Sequence, residues 1–352
     1  MTRIAAIAVF WTCLLAVLYL LRRQRNVAFW PLLALSAILL FNLFFTPHFY
    51  NLEMRGGHLY GVPIDIINHA SKVAVLSLGM TLVIGAGGID LSVGAVMAIA
   101  GATMAHLNIE AGMAPGYCIL AALATGLLAG MWNGFLVAIM EIPPMVATII
   151  LMVSGRGVAQ LITSGQIINF NNPVLNFIGN GFILIPFPFI LTLVVFGVTY
   201  GVTRGTALGF MIEAVGDNEV AARRAGLSAK TIKFLVYVFA GLCAAVAGLV
   251  HTSNIRSADA NNIGLYLELD AIMAVVIGGT AMTGGRLYLA SSVIGAILIQ
   301  ALTTTMYAKD VSPVVAPVPK ALVILAVCLL QSERVRRYLA DRPNRAQGRG
   351  NE

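Results

Sequence analysis

One carboxylate interrupts a strongly apolar stretch in a chain that is 59% hydrophobic and 11% charged. Asp90 lies in "GAGGIDLSVG", where Gly85, Gly87 and Gly88 break the apolar run. Glycines beside a carboxylate predict a broken or re-entrant helix, whose freed backbone groups must face protein or a water-filled path. An ionisable side chain in such a place is a functional candidate. Asp90 also stands one or two residues before the next expected helix start, with Ser92 beside it, and that is a capping position. Pathway contact and capping both fit. Asn68, Asn133, Gln160 and Gln300 are uncharged donors and acceptors within or at the ends of other apolar runs. They suit the lining of a path for a polar solute, or hydrogen bonds between helices. A second glycine-rich stretch, "GGTAMTGGR" (278–286), follows the pattern M-x-[LV]-V-I-G that also precedes the first. Close helix packing at small residues is its expected role.

Several other chemistries are excluded. The four cysteines, Cys13, Cys118, Cys243 and Cys328, all fall in apolar runs and form no CxxC pair, so they read as buried small hydrophobes. The histidines show no metal-ligand spacing, and no metal site is expected. Lys230-Thr231 follows Ala229 without a glycine-rich phosphate loop, so this chain is not expected to hydrolyse ATP itself.

A different chemistry is suggested by "EAVGDNEVAARRAGLS" (213–228), where five of sixteen residues are charged. Asp217 or Asn218 can cap a helix. Glu219 favours the first turn, and Arg223 and Arg224 favour the last. Glu219 and Arg223 form an i,i+4 pair in the favourable order, and Gly226 can end the helix in a left-handed turn. A two-turn helix over 218–225 follows. Its Ala221-Ala222 face would let another surface approach closely. A plain solvated loop is the competing reading.

These residues are positioned by apolar helices. The 352 residues have a mean hydropathy of +0.88 and predict an all-α polytopic membrane protein, since a bilayer core of about 30 Å takes roughly 20 apolar helical residues. Continuous apolar runs exclude a β-barrel. Spans are predicted at 4–21, 27–46, 66–87, 91–109, 116–140, 145–164, 182–201, 234–254, 267–282, 286–307 and 314–331. Arg22, Arg23 and Arg25, the basic residues between 201 and 234, and the arginines of 332–352 cluster in three places. The positive-inside rule puts all three in the cytoplasm, including the C-terminus. The loops 47–65, 165–181, 255–266 and 308–313 are then external. Span 4–21 carries its charge after the apolar core, so it reads as a retained helix with an external N-terminus. The net charge of +7 sets orientation and implies no nucleic acid.

The stretch 213–228 resembles the coupling loop of ABC importer permeases. "GMTLVIGAGGIDLSVGAVMAIAG" (79–101) and "AVVIGGTAMTGGRLYLASSVIGAILI" (274–299) resemble the two signature segments of the ribose/galactose-type sugar permeases. "GVPIDIINHA" (61–70), "MVSGRGVAQLITSGQI" (152–167) and "RSADANNIGLYLELDAI" (256–272) look most similar to galactofuranose importer permeases. The resemblance runs from about residue 30 to 331.

The resemblance implies about ten core helices in 27–331, with a cytoplasmic coupling loop at 203–233. An extra N-terminal helix (1–26) precedes them and a basic cytoplasmic tail (332–352) follows. It implies that Glu213, Ala214, Gly216, Asn218, Ala221, Ala222, Arg223, Arg224 and Gly226 couple to a separate ABC ATPase subunit. That subunit would use ATP and Mg, and this chain would bind no cofactor. A periplasmic sugar-binding protein would deliver the sugar. Asn169, Asn171, Asn172, Arg256, Asp259, Asn261 and Asn262, on two external loops, are the docking candidates. Plain solvated loops are the alternative there. Asn68, Asp90, Ser92, Asn133, Gln160 and Gln300 would offer weak contacts along the sugar path. A second permease chain completes the path, and a heterodimer is favoured over a homodimer. The place is the bacterial inner membrane, in contact with lipid. A secondary sugar transporter driven by an ion gradient is the rival; it would use intramembrane carboxylates, and Asp90 is the candidate. A purely structural protein gives no reason for the glycine breaks.

Overall fold

The computed structural model describes residues 27–331, apart from 48, 56, 57 and 313. The expected helix at 1–26 and the tail at 332–352 lie outside the described residues. Helix α1 (Phe29–Phe45) leads through an antiparallel hairpin, β1 (Glu53–Arg55) and β2 (His58–Tyr60), into α2 (Val62–Gly85). After a break come α3 (Val93–Ile109), α4 (Pro115–Gly134), which continues into a π-helical turn at Phe135–Ile139, and α5 (Pro144–Ile162). Proline in the first turn opens α2, α4 and α5, where its missing N–H costs no hydrogen bond.

A two-residue strand β3 (Ile168–Asn169) precedes the short α6 (Pro173–Asn180) and α7 (Phe187–Gly205). Next are α8 (Leu208–Asp217), α9 (Glu219–Arg224) and α10 (Ala229–Ile255). The chain ends with β4 (Ser257–Ala258), α11 (Leu267–Ile277), α12 (Leu289–Tyr307) and α13 (Pro317–Gln331).

Six described helices are long and apolar enough to cross a bilayer: α2, α4 with its π turn, α5, α7, α10 and α12. α1, α3 and the apolar part of α13 are shorter. Nine of the ten expected core spans thus correspond to these apolar helices, and the tenth to the shorter α11. The largest departure is the predicted span 267–282. α11 stops at Ile277, so its 11 residues reach only about 16 Å.

α10 is the axis of the bundle and packs on α2, α3, α4 and α6. Small residues allow the close approach that membrane helices use in place of a hydrophobic driving force. A Cβ on Gly241 of α10 would lie 2.8 Å from the Gly130 Cα of α4. α5 and α7 are the most exposed of the long helices, with 22% of their apolar windows buried, against 78% for α2.

Candidate functional site

The first glycine break, 86–92, joins α2 to α3 at the end of the bundle that carries α8 and α9. Gly87 takes a left-handed turn (φ +81°). Asp90, 1% exposed, accepts through Oδ1 from the Ser92 amide (2.9 Å), from Ser92 Oγ (2.6 Å) and from Asn133 Nδ2 (3.4 Å). Asn133 Nδ2 also donates to Ser92 Oγ at 2.8 Å. Tyr237 of α10 reaches the Ile89 carbonyl at 3.5 Å. α3 begins at Val93, and Asp90 closes an Asx turn just ahead of it. Asp90, Ser92 and Asn133 are thus one buried polar cluster. Asp90 is not the N-cap: that position is Ser92, which makes no side-chain cap bond, and Asp90 instead holds the Ser92 amide and hydroxyl from two residues earlier.

The second glycine stretch is a true break, not only a packing stripe. Residues 278–288 leave the helix between α11 and α12, with Gly279, Gly284 and Gly285 at φ +86° to +88°. Those three positions need a left-handed backbone that other residues rarely adopt. The two breaks touch: the Gly285 amide donates to the Gly85 carbonyl at 3.0 Å.

The remaining path candidates disperse. Gln160, exposed near the end of α5, donates to Asn261 Oδ1 at 2.6 Å. Gln300 donates to Thr304 of its own helix at 3.2 Å. Asn68 is half-buried and its Oδ1 has no protein partner. Gln160 therefore belongs with the 255–266 loop and does not join Asp90. It also borders a groove of about 580 Å³ along α5, with Ser154, Leu161 and Ser164.

The two loops expected to be external form one surface. β3 pairs with β4, matching Ile168 to Ala258 and Asn169 to Ser257. The Phe170 amide adds a bond to the Arg256 carbonyl at 3.1 Å. Arg256 ends α10 with a left-handed backbone. Asn172 caps α6 through the Val174 amide at 3.1 Å, and Asn171 accepts from Asn176 at 2.9 Å. Asp259 accepts from the amides of Asn261 and Asn262 and from Asn262 Nδ2. These side chains shape the surface by bonding one another. Arg156 of α5, overlooked in the sequence, donates to the Ala260 carbonyl at 3.1 Å and holds the 256–266 loop from below. A second overlooked group lies deeper. Lys72 Nζ is 3.0 Å from His251 Nδ1, and Asp270 pairs with Lys320 at 3.0 Å.

On the opposite side, α9 matches the expected capped helix, two residues shorter. Asn218 is the N-cap and accepts from the Ala221 amide at 2.9 Å. Gly226 turns left-handed (φ +87°) beyond its end. Glu219 binds Arg223 and Lys233 of α10, both at 2.6 Å. The Lys233 hydrogen bond holds the Glu219 carboxyl below the usual range.

Facing differs from the expectation. Ala222 is 5% exposed and buried in the apolar cluster with Val137, Ala229 and Ile232. Ala221, Arg223 and Arg224 are exposed, as is Val220 (60%), and Phe210 of α8 projects at 72%. The correction has a simple cause: the Glu219–Lys233 pair rolls α9 so that Ala222 meets α10. Ala214 and Gly216 are partly buried. Glu213 turns inward, accepting from the Leu287 amide at 3.1 Å.

A bundle of apolar helices long enough to cross a bilayer, with two glycine breaks at one end and a capped polar helix beside them, defines a multi-pass membrane protein. Residues 62–330 match the family described as the permease component of branched-chain amino acid transport systems, and the chain belongs to that family. The galactofuranose transporter permease protein YtfT of Escherichia coli K12 is 52% identical over 311 residues, covering 87% of this chain and 91% of that protein. The fructose import permease protein FruF of Bifidobacterium longum is 38% identical, covering 89% of each. The ribose import permease protein RbsC of Haemophilus influenzae is 36% identical over 76% of this chain and 83% of its own. No solved structure matches the chain.

Proposed function

We propose that this chain is the membrane-spanning permease subunit of an ATP-driven sugar importer of the bacterial inner membrane, carrying galactofuranose or a similar monosaccharide. The family description names branched-chain amino acids, yet the relatives given above are sugar permeases by name. The lining of the α5 groove agrees with a sugar: amide and hydroxyl groups with apolar flanks and no fixed charge. On this reading Gln160 and Asn261, hydrogen-bonded to each other at 2.6 Å, would be among the first groups met by a sugar released at the external surface.

The observation that carries the proposal is the outward face of α8 and α9. Phe210 of α8 and Val220 and Ala221 of α9 are exposed apolar residues, and Arg224 is exposed on the same short helix as the last two. The helix beneath is fixed by its Asn218 cap and by Glu219. Such a small, rigid apolar face with a basic edge suits docking into a groove on a separate ATPase. That ATPase would bind and hydrolyse the ATP, and this chain would be non-catalytic. A periplasmic sugar-binding protein would dock on the joined external loops. A second, related permease chain would close the path, and the tail would lie in the cytoplasm. Transport then proceeds by alternating access.

The test is accumulation of labelled monosaccharides by cells carrying the complete system. Deleting this chain alone should abolish uptake of one monosaccharide, and restoring it should bring uptake back. Unchanged accumulation of every sugar after deletion would reject the sugar assignment.

A further inference from the structure

Glu213 and Gly216 do not sit on the outward face of α8; they point into the bundle. Gly216, in the last turn of α8, is wedged against both helix breaks. A Cβ there would overlap the Gly85 carbonyl oxygen and lie 2.7 Å from the Gly285 nitrogen. Only a hydrogen at this position lets three backbones meet. Beside it, the Leu287 peptide is held from two sides. Its amide donates to Glu213 Oε1 at 3.1 Å, and its carbonyl accepts from Arg204 Nη2 at 2.9 Å. Arg204 and Glu213 approach to 3.6 Å. The end of α7, α8, and both breaks are thereby tied in one place.

We propose that Arg204, Glu213 and Gly216 form an internal clamp through which α8 sets the position of both helix breaks, so that Glu213 acts within this chain and not on the ATPase. The clamp rests on the permease reading above. Leu287 lies in irregular backbone outside any helical ladder, so its amide needs another acceptor, and Glu213 supplies one. Phe210 faces outward on the same ten-residue helix. A pull on that face therefore moves Gly216 and Glu213 as part of a rigid body. The Gly85–Gly285 contact passes this movement to both breaks together. Through the first break it reaches Asp90 and Ser92, and so the start of α3. Arg204, Glu213 and Gly216 are positioning residues; none touches sugar or nucleotide.

The experiment uses the complete complex in lipid nanodiscs and proteoliposomes. Glu213→Ala removes the acceptor, whereas Glu213→Gln keeps an oxygen for the Leu287 amide. With Glu213→Ala, ATPase recovery on co-purification and basal ATP hydrolysis should equal wild type. Sugar uptake should fall about tenfold, the scale at which coupling networks are disturbed, and stimulation of hydrolysis by the loaded binding protein should vanish. Glu213→Gln should restore most uptake. Loss of ATPase recovery in Glu213→Ala, or wild-type uptake, would overturn the clamp. If Glu213→Ala fails to reach the membrane, Arg204→Gln opens the clamp from the other side, and wild-type uptake there would overturn it equally. Hydrogen exchange over residues 278–288 in the purified chain separates the clamp from the permease reading. Exchange there should be faster in Glu213→Ala and unchanged in Glu213→Gln, whatever partner the chain has. Equal exchange in all three proteins would refute the clamp even if the ATPase binds, and absence of any ATPase partner would refute only the permease reading.

Discussion

At the scale of residues, Asp90 decides how the first break works. Its Oδ1 accepts all three of the nearby donor contacts described above, from the Ser92 amide, Ser92 Oγ and Asn133 Nδ2. Asp90→Asn keeps an oxygen for those donors, so membrane abundance and uptake should stay near wild type. Asp90→Ala leaves buried donors unpaired, which costs about 1–3 kcal/mol. It should lower the Tm of the detergent-purified chain and its abundance. Collapse of uptake in Asp90→Asn at normal abundance would show that the charge itself is used. The break was legible in the sequence because Gly85, Gly87, Gly88 and Asp90 together cannot continue an apolar helix. The long-range polar contacts further along were not. Lys72 meets His251 across 179 residues, and Asp270 meets Lys320 across 50. The partners lie far apart in sequence, and nothing local names them.

At the scale of elements, α9 shows both what pattern gives and where it stops. The cap, the Glu219–Arg223 pair and the terminating Gly226 were readable because each depends on neighbours within four positions. The direction of the alanine face was not. A helix of six residues has no repeating stripe, and Lys233 on α10 fixes its rotation from outside. Ala221→Trp and Ala222→Trp should therefore differ. Tryptophan at the exposed position 221 should leave the chain stable and block ATPase recovery on co-purification. At buried position 222 it overpacks the contact with α10, typically about 1–3 kcal/mol, and should lower Tm first. Identical behaviour of the two variants would contradict the orientation of α9. Asn218→Ala removes the cap at a cost of about 0.5–2 kcal/mol. It should weaken ATPase recovery without changing insertion, as read by pull-down against membrane abundance. The second break escaped the sequence because Thr280, Ala281 and Met282 keep the run apolar enough to resemble a span. The β3–β4 ribbon escaped because two-residue strands carry no alternation.

At the scale of the whole molecule, the two ends of the bundle have different chemistry. One end joins its loops into an asparagine-rich surface through β3 and β4, with Arg256 and Asp259 as its charged groups. The other gathers both glycine breaks over α8 and a charged α9. That polarity is what an importer needs: delivery on one side, mechanical input on the other. The ion-gradient alternative relied on Asp90 as an intramembrane carboxylate. Its hydrogen bonds to Ser92 and Asn133, at the α8 end of the bundle, give it a structural task there. The most direct measurement is sugar uptake into proteoliposomes containing the purified permease pair, with binding protein and labelled sugar outside. The ATPase is either present or left out, and proton and sodium gradients are collapsed by ionophores. Uptake that requires the ATPase and internal ATP, and that ignores the ionophores, is the expected result. Uptake that persists without the ATPase and disappears with the ion gradient would contradict the assignment.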